Sequence, residues 1–389
     1  GGKLADKHGA VSALKFIFAA LVVLLLVFQL TASVHYAALA TVLVMGIFAF
    51  GNVPGLQVYV VQKAEQYTPG AVDVASGLNI AAFAAEELHR FGVDGLLLLT
   101  RDGRGRFGMR MFNTDGSEAE MCGNGIRCVA RLARERYPEA TGERFAVTSG
   151  GREYRITCEE PIFGALPTFG AEIPLSLHGD DFPPSLPAEE FVGQPVPELD
   201  EGPAFTFLQP GNPHIVALVA PDSAWLFGSD GRLDTRRLAE LGERANRMRG
   251  VFPRGINVSL FCRLDEGRIF AATYERGVGI TSSCGTAMTS CATAAALLGL
   301  AGFDTTVEVW NRGGRVRCLP RRTQQGIVTR LTGDASFETA GRLRLDGKEC
   351  IATGDASPLD PPCDRLRLTE ETLRELHEKY GLTIADDHD

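Results

Sequence analysis

Histidine, tryptophan and paired cysteine are scarce in this 389-residue chain: seven histidines, two tryptophans and no Cys-x-x-Cys among nine cysteines. The cysteine spacing offers no disulfide framework, and so few histidines offer no zinc-ligand pattern, so no metal is implied. Free thiols in a chain of this size point to a reducing compartment. Positive charge is also in short supply. The net charge is −9 and the pI about 5.4, and without a basic stripe to neutralise phosphates a nucleic-acid partner is excluded. The length allows two or three domains with a substantial core.

What is abundant is hydrophobicity at one end. Residues 16–34, FIFAALVVLLLVFQLTASV, are apolar except for Gln29 and two small hydroxyls, about the length that spans a bilayer core. A second apolar run, 36–61, carries Gly51-Asn52-Val53-Pro54, which interrupts a helix. Together they predict a membrane-type helical hairpin. Lys3, Lys7 and Lys15 before it and Lys63 after it place both ends in the cytoplasm. The opening GGKLADKHG resembles a cytoplasmic loop of major facilitator superfamily transporters, and TPGAVDVASGLNIAAF at 68–83 is similar to a late part of an efflux permease of that family. The expected role of a segment covering two helices is anchorage, or none, but not transport, and an inactive membrane-anchored remnant is the alternative to an enzyme.

Beyond residue 83 the pattern becomes that of an α/β domain. AAEELHRFG reads as a short amphipathic helix and VDGLLLLT as a buried strand. GRGRFG at 103–108 matches G-x-G-x-x-G, but MRMFN after it alternates like a strand, so a hairpin turn is expected and not a dinucleotide site. At 120–128 stands EMCGNGIRC, after the polar loop NTDGSE and before a helix predicted over 126–136. The plan recurs later. A strand ends at Tyr274, a glycine-containing loop carries Glu275 and Arg276, and Cys284 opens a helix rich in alanine. Two such units imply an internal duplication with two half-molecules facing each other.

A thiol at a helix N-terminus sits among unpaired N–H groups and the positive end of the macrodipole. Its pKa is expected to fall, which makes it a usable base. The adjoining glycines let backbone N–H groups approach a ligand. Two opposed thiols suit removal of an α-proton from one face of an amino acid and its return from the other. N–H groups aimed at the carboxylate stabilise the intervening carbanion, and no pyridoxal lysine motif is present, so no cofactor is expected. Cys128, Cys158, Cys262, Cys291, Cys318, Cys350 and Cys363 are read as packing residues or left unassigned.

NTDGSEAEMCGNGIRC and ERGVGITSSCGTA resemble the two catalytic motifs of the diaminopimelate epimerase family, and GNPH at 211–214 and INV at 256–258 resemble two further substrate segments. The resemblance covers about 85–349. It implies two pseudo-symmetric α/β halves, each a mixed sheet curled around a central helix, and cofactor-independent epimerisation of LL-diaminopimelate to the meso form in lysine and peptidoglycan precursor biosynthesis. By that resemblance Cys122 and Cys284 are the proton-transfer groups, and Gly123, Asn124, Gly285 and Thr286 cradle the reacting centre. Asn113, Asn212, Asn257, Glu275 and Arg276 hold the distal end, with His214 beside the site. The implied partner is a small amino-acid substrate, and a homodimer is among the assemblies allowed. Proline racemases carry His where Asn124 stands, whereas a histidine racemase retains most of these motifs.

The family's opening strand and Gly-Leu-Gly-Asn-Asp loop are missing, and Gly95 follows GVD. One sheet edge and one polar contact are therefore expected to be incomplete, with impaired turnover. The expected organisation is a permease-like segment at 1–83, a first half at 84–200 and a second at 201–338. A strand returning to the first half follows at 339–350, then a Pro-rich linker and a helix at 351–389. In the last segment Leu373, Leu376 and Tyr380 have helical spacing, predicting an amphipathic helix docked on the domain surface.

Overall fold

The computed structural model describes residues 10–32, 36–45, 95–113, 116–178, 182–183, 186, 191–199, 202–337, 339–340, 343–346, 349–352, 357–358 and 362–384. The opening nonapeptide, the second half of the expected hairpin (46–61), the permease-like 68–83, the junction near 83 and the helix expected at 84–92 lie outside these residues. The chain forms two compact units. One is Gly1–Leu96 with Phe112–Ser117 and Gly347–Glu349, and the other is Leu97–Met111, Glu118–Asp346 and Cys350–Asp389.

In the first unit, α1 (Ala10–Thr31) contains one 20-residue stretch, Ser12–Thr31, long and apolar enough to cross a membrane. Phe16, Val22, Val23, Leu26 and Leu30 on it are exposed. A shorter apolar helix, α2 (Tyr36–Met45), follows. The Thr31 and Thr41 hydroxyls meet at 3.2 Å, and each also donates to a carbonyl four residues back in its own helix. The two described helices thus touch through small polar groups whose hydrogen bonds are internally satisfied.

The second unit is built on one 14-stranded mixed sheet that begins with β1 (Gly95–Arg101, in this unit from Leu97) and β2 (Phe107–Asn113, in this unit to Met111). The first half continues with β3 (Glu118–Ala119), α3 (Gly123–Arg136), β4 (Arg144–Ser149), β5 (Arg152–Glu159) and β6 (Thr168–Leu175). The second half adds β7 (Phe205–Leu208), β8 (His214–Leu218), α4 (Arg236–Arg247) and β9 (Asn257–Asp265), and then repeats the plan of the first. Its repeat is β10 (Arg268–Glu275), β11 (Gly279–Thr281), α5 (Gly285–Leu297), β12 (Val307–Asn311), β13 (Gly314–Thr323) and β14 (Gly326–Asp334). In both halves the strand before the helix pairs parallel with the strand after it, β2 with β4 and β10 with β12, and two antiparallel strands follow.

The halves join where their last strands meet, β6 antiparallel to β14 from Ile327↔Leu175 to Asp334↔Thr168. The expected pair of sheets is therefore continuous. The expected returning strand is replaced by this joint: among the described residues β16 (Leu343–Asp346) pairs with β17 (Glu349–Ala352), and β15 (Thr339–Ala340) with β18 (Ser357–Pro358). With β5 on one side of β6 and β14 on the other, that strand has no edge left to receive a further partner.

Helix α3 buries Ile126, Val129, Ala130 and Ala133, a 3.6-period stripe that belongs to the main core. It starts three residues before the predicted boundary, because Cys122 caps it directly. Helix α5 is buried from Gly285 to Ala296. Two of its threonines are satisfied there, Thr289 donating to the Gly285 carbonyl (2.7 Å) and Thr293 to that of Thr289 (2.8 Å), whereas the buried Ser290 Oγ has no such partner among the described residues. Strand β1, expected to be buried, is only half-buried, since it is the edge of the sheet among the described residues.

The last helix, α6 (Pro362–Tyr380), starts inside the predicted Pro-rich linker. A proline suits a first helical position, where its missing N–H is not needed. The expected spacing does face the domain: Leu376 is fully buried with Leu373 and Tyr380 packed against the second core, and one buried leucine contributes about 2 kcal/mol. Tyr380 donates to Asp265 Oδ2 (2.6 Å), Lys379 does so at 3.0 Å, and the Tyr380 ring stands edge-on to Trp310.

Candidate functional site

The two cysteines occupy equivalent places. Cys122 is the N-cap of α3 with extended backbone, and its sulfur accepts from the Gly125 N–H at 3.3 Å. Cys284 is the N-cap of α5, also extended, with its sulfur 3.4 Å from Thr286 Oγ1. The residues after them touch. A Cβ on Gly123 would come to 2.9 Å from Gly285 Cα, and one on Gly285 to 2.8 Å from Gly123 Cα. Two helix N-termini therefore abut through their glycines, each with a thiol at its cap. Gly211, in the left-handed region at φ 119°, brings the 211–214 loop against Met121, next to Cys122.

Around α5 runs a polar chain. His214, fully buried, has Nε2 at 3.1 Å from Thr286 Oγ1, 3.2 Å from Asn212 Oδ1 and 3.3 Å from Asn257 Nδ2. Burial holds this imidazole down at about 3, with Arg276 adding to the effect, so it is neutral at neutral pH. Asn257 accepts the Arg276 N–H at 2.8 Å. It spends both ends of its amide on protein groups and so braces the loop that carries Glu275 and Arg276. Arg276 itself is exposed and donates to the Arg254 carbonyl, and Glu275 accepts from Thr281 Oγ1 at 2.7 Å.

Both thiols are pushed above the ordinary thiol range, contrary to the expectation from the helix termini. At Cys122 burial is the main cause. N–H hydrogen bonds from Gly125 and Asn124 oppose it, the Glu275 carboxylate adds to it and Arg127 offsets it. At Cys284, which is buried where Cys122 is half-buried, the rise is larger; burial leads and Glu275 follows. Loss of solvation outweighs the helix ends because a thiolate in an apolar pocket forfeits its water shell. The Glu275 carboxylate thus bears electrostatically on both thiols.

The model of the family described as "Diaminopimelate epimerase" matches residues 58–162 and 206–338. The chain belongs to the diaminopimelate epimerase family. It is 33% identical over 273 residues to the diaminopimelate epimerase of Clostridium acetobutylicum, covering 70% of this chain and 78% of that protein. To the diaminopimelate epimerase of Listeria welshimeri it is 31% identical over 320 residues, covering 80% and 94%. Among solved structures it is similar to a phenazine biosynthesis protein of the PhzF family from Bacillus anthracis, at TM-score 0.47 and 14% identity, covering 72% of this chain and 89% of that one. The family match opens at 58, earlier than the motifs alone indicated, and so takes in part of the stretch that resembles a permease.

Of the residues that the family resemblance nominates, Gly123, Asn124, Gly285 and Thr286 lie at the two helix starts with the cysteines. Asn212, His214, Asn257 and the Arg276 N–H are joined in the polar chain on the α5 side. Asn113, at the end of β2, is hydrogen-bonded within its own loop to Ser117 (2.8 Å through its N–H, 3.0 Å through its amide). Cys262, Cys291 and Cys318 are buried core residues, as expected. Sequence reasoning passed over Arg127, although it stands inside the first motif. The signal was a cation one turn beyond Gly123, on a helix whose remaining buried side chains are apolar but for Arg131.

Proposed function

We propose that this chain inverts one α-carbon of LL-diaminopimelate to give the meso isomer, without a cofactor, by proton transfer between Cys122 and Cys284. The contact of two cysteine-capped helix N-termini at Gly123 and Gly285 carries this reading. A carboxylate placed between the helix ends meets N–H groups from both, which stabilise the charge that develops when the α-proton leaves. One sulfur, as thiolate, takes that proton, and the opposite thiol delivers its own to the other face. The product leaves the two sulfurs with exchanged protonation states. The ammonium group of the substrate favours a thiolate beside it and so works against the rise imposed by burial.

Asn212, Glu275 and Arg276 are assigned to the second zwitterionic end of the substrate, which an amide, a carboxylate and a guanidinium match in chemistry. Conversion of LL-diaminopimelate should exceed that of L-histidine by at least about a hundredfold in kcat/KM. Equal or faster turnover of L-histidine would remove the diaminopimelate assignment and leave a racemase of another amino acid.

We further propose that α1 and α2 anchor the enzyme to a membrane with the catalytic part in the cytoplasm. The 20-residue apolar stretch and its exposed Phe, Val and Leu side chains support this. The full chain is expected to float with phospholipid vesicles through an alkaline carbonate wash, and a chain lacking 10–45 to stay in the soluble fraction. Retention of the shortened chain on vesicles would refute the anchor.

A further inference from the structure

Arg127 lies one turn along α3 from Gly123, and the proton transfer as described gives it no task. Only 5% of its surface is exposed, and a guanidinium is buried at a net cost unless its donors are matched. Three of its hydrogen bonds go to the frame of the site. Nη1 donates to the Gly123 carbonyl at 2.8 Å, Nη2 to Asn124 Oδ1 at 3.2 Å, and Nε to the Asp334 carbonyl at the end of β14 at 3.2 Å. Asn124 in turn donates through Nδ2 to the Ser283 carbonyl at 3.5 Å, the residue before Cys284. Gly333 leaves the space for this, since a Cβ there would stand 2.9 Å from the guanidinium carbon.

One planar side chain thereby ties the start of the first cysteine helix to the last strand of the second half. Through a single amide it also reaches the peptide that precedes the second cysteine. We propose that Arg127 is the positioning residue of the two-thiol site, its fork holding Cys122 and Cys284 at proton-transfer separation across the joint between the halves. This rests on the two-cysteine reading above. Lysine cannot replace it, because an ammonium lacks donors fixed in a plane toward separate acceptors. The guanidinium is also a positive charge acting on Cys122, which is faced as well by Glu275 from the β10–β11 turn and by Cys128 on its own helix.

The test uses the full chain with Arg127→Met and Arg127→Lys. Three quantities are read for each: thermal unfolding, kcat and KM for LL-diaminopimelate, and the pH dependence of iodoacetamide alkylation at Cys122, located by peptide mass mapping. Arg127→Met is expected to move the alkylation profile up by about one pH unit. Its kcat should fall about a hundredfold with KM changed less than about threefold. Arg127→Lys should keep the wild-type alkylation profile, since the charge remains, yet lose at least about tenfold in kcat, since the fork is gone.

A purely structural role predicts lowered unfolding temperature with the profile and kcat unmoved, and that result overturns the proposal. Should Arg127→Met not fold, the lysine variant decides alone, and wild-type kcat in it is the contrary outcome. If the wild-type chain does not turn over diaminopimelate, the substrate reading fails, while the alkylation profiles still judge Arg127.

Discussion

Replacing either Cys122 or Cys284 with alanine is expected to slow interconversion of LL- and meso-diaminopimelate by at least about a thousandfold, the usual scale for losing a positioned acid or base. A loss of rate alone would not distinguish a two-thiol site from a single essential cysteine; the pattern of isotope exchange does. With one thiol left, a proton can be removed and returned on one face only. In D2O each single variant should therefore label the α-carbon of one stereoisomer, and the two variants should label opposite isomers. The cysteines cap different helices whose glycines touch, so each has its own side of the bound carbon. Interconversion at wild-type rate in either variant, or labelling of both isomers by one of them, would contradict the mechanism.

A methyl group at Gly285 should cost nearly as much. Its Cβ would stand 2.8 Å from Gly123 Cα and 3.0 Å from Gly123 C, and the reciprocal Cβ on Gly123 would stand 2.9 Å from Gly285 Cα. These neighbours are backbone, so relief comes only from moving the two helix ends apart, and with them the two thiols. Neither glycine has positive φ, so backbone conformation does not demand glycine at these places. Close approach does. A displacement near 1 Å in a proton-transfer site lowers the rate about a hundredfold, and Gly285→Ala and Gly123→Ala are each expected to lose that much in kcat. Gly103→Ala is the control, because nothing lies within 4 Å of a Cβ there, and it should match wild type. Full activity in Gly285→Ala would show that the helix ends need not meet for turnover.

Much of this site could be read from local pattern. The cysteines, the glycines after them and the helices they open sit in short contiguous stretches, and helix capping depends on neighbours within about one turn. The duplicated plan was visible for the same reason. Less local properties were misjudged. The thiols were expected to be acidic from the helix ends, yet burial reverses the shift, and burial depends on residues far away in the chain. Arg127 was overlooked because its acceptor on β14 lies more than two hundred positions away. The strand that closes the first half was sought at 339–350, while β14 makes that joint through a register that only the folded sheet defines.

By itself the sequence determined what depends on covalent neighbours: two cysteine-capped helices with glycine behind each cap, an apolar stretch of membrane length, and an amphipathic tail with leucines on one face. The tertiary structure alone decided which groups meet. It set Gly123 against Gly285, gave the Asp334 carbonyl and the Asn124 amide to one guanidinium, seated the tail on Asp265 and Trp310, and raised the thiols that their helix termini were expected to acidify. The reason is physical: propensity and capping act within a turn or two of chain, whereas desolvation and contact depend on the three-dimensional neighbourhood that the whole fold assembles.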